Sequence, residues 1–70
     1  MVYYRYMMSL YEETEKLLKA ARGVVSRPII SREAGVGFEW LSKFGTGAIK
    51  NPGVVPLERL NRYLKARLDR

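Results

Sequence analysis

The stretch from Arg27 to Thr46, RPIISREAGVGFEWLSKFGT, limits the possible folds more than any other part of the chain. It reads as two short helices joined by a glycine-bearing turn. Helices that cross steeply need a small residue where they touch, and Ser31 is small. Four residues on, the chain must turn sharply, often through positive φ, which Gly adopts without steric cost, and Gly35 stands there. The next residue must fill the corner with apolar bulk, as Val36 does. Leu41 and Phe44 then return to the first helix at helical spacing. Ile30, Ser31, Ala34, Val36, Leu41 and Phe44 are the expected inward-facing set.

This spacing is that of a helix-turn-helix. On a wheel of about 100° per residue, Trp40, Leu41 and Phe44 fall on one side of the second helix, and Phe38, Glu39, Ser42 and Lys43 on the other. In DNA-binding versions of the motif the second helix enters the major groove, and residues near its N-terminus reach base edges. A buried helical hairpin inside another small bundle would show the same spacing. Composition favours the first reading.

A chain of 70 residues makes one domain. A core this small is expected to be compact and helical, or helped by oligomerisation. There is no Cys and no His, so disulfides, thiol chemistry, the usual general base and the commonest metal ligand are all missing. Catalysis would have to rest on carboxylates or Lys in a cleft, and no such pairing is visible. The expectation is therefore a protein that is not an enzyme, with no cofactor, metal or small-molecule substrate. The apolar runs are too short to span a bilayer, and MVYYRYMMSL lacks a signal-peptide core. A cytoplasmic protein without a membrane partner is expected. The formal net charge of +6 rises along the chain, with +1 in residues 1–25, +2 in 26–50 and +3 in 51–70. Such a balance suits a polyanionic partner, although it also serves plain solubility.

Residues 1–8 fit neither a helical nor a strand period and read as a poorly ordered N-terminal arm, or as one that lies on a partner subunit or sets Arg5 against phosphate. Residues 9–70 form the domain. Ser9 and Glu12 have the spacing of a capping box that opens the first helix. Glu12, Glu13 and Glu15 read as a solvated face flanking that cap, with nothing opposing them. Gly23 is the expected C-cap. Ser26 or Arg27 should cap the second helix, with Pro28 in its first turn, and the helix should end at Ala34. Gly37 should precede a third helix from Phe38 to Phe44, ended by Gly45, Thr46 and Gly47. Lys50 and Asn51 follow in a loop that reads either as a backbone-contacting segment or as an ordinary connector. A last helix, Val54 to about Leu68, carries the stripe Leu57, Leu60, Leu64 and Leu68. The expected fold is all-α, with four or five short helices and no sheet.

The run IISREAGVGFEWLSKFGTGAIKNPGVVPLERLNRYL resembles the lambda-repressor-like helix-turn-helix family, in the form seen in phage and prophage regulators. Ile30, Gly35, Val36, Trp40, Leu41, Phe44, Gly47, Ile49, Asn51, Pro52, Leu57, Leu60, Tyr63 and Leu64 match that pattern, over about half the chain. The resemblance implies a sequence-specific transcriptional regulator that binds double-stranded DNA, usually as a homodimer, with its third helix in the major groove. Transferred by position, the base-reading candidates are Phe38, Glu39, Ser42 and Lys43, and the backbone candidates are Arg27, Lys50 and Asn51. Lys43 suits guanine O6/N7, Phe38 a thymine methyl, and Glu39 either cytosine N4 or a helical pair with Lys43. Ser31 departs from the family's usual Ala, so its hydroxyl needs a partner. Pro28 stands where some members carry a DNA-contacting Gln. With no second domain, a simple phage-type regulator is expected. The alternative is a protein-binding accessory factor or antirepressor that reuses the fold, with the Tyr-rich arm and Phe38 as its interface.

Overall fold

In the computed structural model, residues 2–49 and 53–69 are described, and they form four α-helices and no strand. The order is α1 (Val2–Ala20), α2 (Arg27–Ala34), α3 (Phe38–Gly45) and α4 (Val54–Leu68).

The first helix corrects two expectations. It begins at Val2, so residues 2–8 belong to α1 and are not a separate arm. Ser9 is consequently mid-helix, and the Ser9–Glu12 spacing opens nothing. The cause is partly local, since no Gly or Pro interrupts residues 2–20. It is also tertiary: the Tyr6 hydroxyl donates to Glu58 Oε2 of α4 at 2.6 Å. That bond holds the Tyr6 phenol above its ordinary pKa.

Further along the same interface, Asn61 Nδ2 donates to Thr14 Oγ1 at 2.9 Å and to Glu13 Oε1 at 3.0 Å. Leu17 lies beside Lys65, Leu68 and Asp69. Positions rise together on both helices, so α1 and α4 run in the same direction. Glu13 is therefore opposed, contrary to the reading of a purely solvated face. Lys65 Nζ lies 3.2 Å from its carboxylate, the one ion pair among the described residues. The Asn61 hydrogen bond first, and Lys65 second, hold the Glu13 carboxyl below its ordinary pKa.

The short helices sit on this pair. A turn through Gly23, at φ +82°, lets the Val24 and Val25 amides reach the Ala21 carbonyl and drops Val25 into the core. Ser26 stands at the N-cap of α2 with Pro28 in the first turn, as expected, but its hydroxyl bonds no cap amide. At the C-terminus of α2, Gly35 adopts φ +75° and its amide donates to the Ser31 carbonyl at 3.1 Å. The Ser31 hydroxyl donates to the Val36 carbonyl, which answers the demand its polarity makes. Val36 is buried in the corner.

Leu10, Leu18, Ala21, Val25, Ile30, Val36, Leu41, Phe44, Leu57, Leu60 and Leu64 make one core, drawn from every helix. The expected stripe of α4 is present: Leu57, Leu60 and Leu64 are wholly buried, and Leu68 is partly so. Ser31 and Ala34 are half-buried, Ala34 in a cleft shared with Arg59, Tyr63 and Ala66 of α4. No helix among the described residues is long and apolar enough to cross a membrane.

Candidate functional site

The third helix is short and strongly two-sided. Leu41 and Phe44 have no exposed surface. Trp40 stacks on Phe44 with ring centroids 5.2 Å apart and planes 3° from parallel. Tyr11 of α1 meets the same Phe44 ring edge-on at 5.1 Å and 65°. This aromatic cluster fixes the rotation of α3 about its own axis. Phe38, Glu39 and Lys43 are thereby turned to solvent, and Ser42 is half-exposed at the edge of that face. The four base-reading candidates are thus on one outer side, as the helical wheel placed them.

The two ends of this face are held differently. At its start, Gly37 is the N-cap and supplies no side-chain bond, so the first-turn amides are uncapped. At its end, the Thr46 hydroxyl donates to the Lys43 carbonyl at 3.1 Å. The departing chain is tied back where the Tyr11 hydroxyl donates to the Ile49 carbonyl at 3.2 Å. Lys50 and Asn51 come next, outside the described residues.

Cations stand at both ends. Arg27, in the first turn of α2, is exposed, and its Nη2 lies 4.0 Å from where a Cβ on Gly45 would stand, at the end of α3. Lys19 and Arg22, from the end of α1 and the turn after it, line the same small cleft as Arg27, with Glu15, Leu18 and Ile30. Neither Lys19, Arg22 nor Arg27 forms an ion pair with any described residue. The sequence reading missed Lys19 and Arg22. The signal was present as basic residues after Leu18, but cations at the end of a helix equally complement its dipole, so their spacing alone marks no site. At the other end, Arg59 of α4 points Nη1 at the Gly35 carbonyl from 3.5 Å, beside the α2–α3 turn. Near it, the Tyr63 hydroxyl donates to Glu33 Oε1. Burial first, and that bond second, raise the Tyr63 phenol above its ordinary pKa.

Chemically, this surface offers donors from Lys43, Ser42 and the uncapped amides, an acceptor from Glu39, one aromatic face and flanking guanidinium groups. Among the described residues no group of three or more carboxylates, His or Cys is placed to hold a metal. Comparison with family models, curated proteins and solved structures finds no match to this chain.

Proposed function

We propose that this chain is a sequence-specific regulator that binds double-stranded DNA, of the lambda-repressor-like helix-turn-helix type, with α2 and α3 as the motif and α3 in the major groove. The observation that carries the reading is the outer face of α3. It sets Glu39 and Lys43 in solvent with Ser42 half-exposed at their edge, with cations that pair with no described carboxylate at one end and Arg59 at the other. A groove lined by phosphates needs both parts. Base edges are read by side chains on the inserted helix, and the register is held by cations on the backbone. In this reading Lys43 donates to guanine, and Lys19, Arg22 and Arg27 form one phosphate seat. A dimer on a two-fold operator follows, because one eight-residue helix reads few base pairs.

The rival reading, a protein-binding accessory factor with the same fold, draws on exposed Tyr6, Met8 and Phe38. Selection from a random duplex pool, followed by titration of the enriched duplex at several salt concentrations, separates the two. Enrichment of a palindrome, with affinity falling linearly in log–log salt, supports the DNA reading. Failure to retain any duplex at low salt rejects it in favour of the rival.

A further inference from the structure

Three aromatic rings, those of Tyr11, Trp40 and Phe44, pack together behind α3. Phe38 is left out of that cluster, at the first position of the helix, with 50% of its surface exposed. Gly37 before it carries no side chain, and Glu39 after it is exposed. Nothing in the core requires a large ring there.

A phenyl ring has no donor or acceptor, so it cannot distinguish the hydrogen-bonding patterns that separate the base pairs. It responds to apolar surface alone. On the major-groove edge of DNA that surface is the C5-methyl group of a pyrimidine. We propose that Phe38 seats the C5-methyl of one pyrimidine in each half-site, so that affinity depends on that methyl whether thymine or 5-methylcytosine carries it. The inference rests on the DNA-binding reading of α3 and deepens it: part of the recognised signal is a methyl group and not a base identity. Glu39 stands next to Phe38 and only accepts hydrogen bonds. The neighbouring C4 substituent, an amino group in 5-methylcytosine and a carbonyl oxygen in thymine, decides which carrier suits the site better.

The test uses the full chain and the duplex enriched by selection. Each pyrimidine of one half-site is replaced in turn, with its Watson–Crick partner, to compare thymine with uracil and 5-methylcytosine with cytosine. Burial of one methyl is worth about 0.8 kcal/mol, or about fourfold in affinity. At one position, the methylated member of each pair should bind about fourfold tighter. Phe38→Ala should erase the difference at that position, and Phe38→Leu, which keeps apolar bulk, should retain most of it. Because Phe38 is outside the core, both variants should keep the wild-type helical circular dichroism and unfolding midpoint. The tighter of the thymine and 5-methylcytosine duplexes identifies the carrier. Bound duplex with no methyl-sensitive position overturns the inference and leaves the DNA reading standing, as does a methyl effect that survives Phe38→Ala. If no duplex is bound at all, both fall together.

Discussion

Asn61 donates to Thr14 at 2.9 Å across the α1–α4 interface, with the Thr14 side chain wholly buried and Asn61 nearly so. Asn61 sits inside an otherwise leucine-lined stripe, between Leu60 and Leu64. A buried amide with a single set of partners fixes register in a way that leucines do not, because sliding the helices would leave it unsatisfied.

Asn61→Ala should therefore destabilise the protein by about 1–3 kcal/mol, the range for stranding a buried polar partner, here the Thr14 hydroxyl. Replacing both, as Thr14→Val with Asn61→Leu, should recover most of that loss, since apolar groups of similar shape do not need hydrogen bonds. Urea unfolding of Thr14→Val, of Asn61→Leu and of the double gives the coupling. Strict additivity would show that the pair does not act as a unit.

Glu13 makes part of this interface sensitive to acid. Its folded pKa lies below the ordinary 4.5, held there by Asn61 and then by Lys65. A lowered folded pKa means that the carboxylate's contribution is present above the unfolded value. It is lost as pH falls through the folded value. Glu13→Gln keeps a carbonyl for Asn61 and removes the charge. The difference in melting temperature between wild type and Glu13→Gln should be greatest near neutral pH and should close below the ordinary carboxylate range. A gap that stays constant down to pH about 3 would place the effect in packing and not in ionisation.

The turn before α3 depends on Gly35. A Cβ there would meet nothing closer than Arg59 Nη1 at 3.9 Å, so space is not the constraint. The constraint is φ +75°, where an L side chain costs about 1–2 kcal/mol. Gly35→Ala should cost about that much in thermal or urea unfolding. Gly45→Ala tests a glycine without positive φ, at a position where a Cβ would meet Leu18 at an ordinary 3.5 Å. It should be neutral or mildly stabilising. Equal losses at the two positions would count against the conformational explanation.

The middle of the fold was legible because its boundaries are set by local chemistry. Ser26 and Pro28 mark the start of α2, Gly35 and Gly37 the turn, and Gly53 the start of α4; each element begins or ends where those residues place it. The outer face of α3 was legible for a related reason, since Leu41 and Phe44 leave one way to rotate the helix. The start of α1 was not. Ser9–Glu12 has the spacing of a cap, but residues 2–8 are also free of helix breakers, and a hydrogen bond from Tyr6 to a carboxylate 52 positions away helps to hold them helical. Asn61 was invisible as a partner for Thr14 across 47 positions. Lys19 and Arg22 belong to the first helix and its turn by sequence, and their convergence with Arg27 depends on how the Gly23 turn brings α2 back.

That convergence separates two kinds of basic residue, and each kind has its own signature in binding. Lys43 projects from the exposed face of α3, which on the DNA reading proposed above sets it against base edges. Lys43→Ala should cost about 1–3 kcal/mol on the selected duplex and relax preference at one base position, with little change in the salt slope. Lys19, Arg22 and Arg27 lie together beyond the far end of α3, and the same reading gives them to phosphates. Changing any one of them to Ala should weaken binding to all duplexes alike and reduce the log–log salt slope by about 0.9 for each phosphate that is no longer neutralised. Removing Lys19 and Arg22 together should leave the ranking of sequences unchanged. The measurement is a titration of the selected duplex and a scrambled one at several salt concentrations for each variant. If Lys43→Ala weakens both duplexes equally, Lys43 joins the phosphate seat, and base reading passes to Glu39 and Ser42. If the Lys19 and Arg22 variants leave the slope at its wild-type value, the cleft beside Arg27 faces away from the nucleic acid.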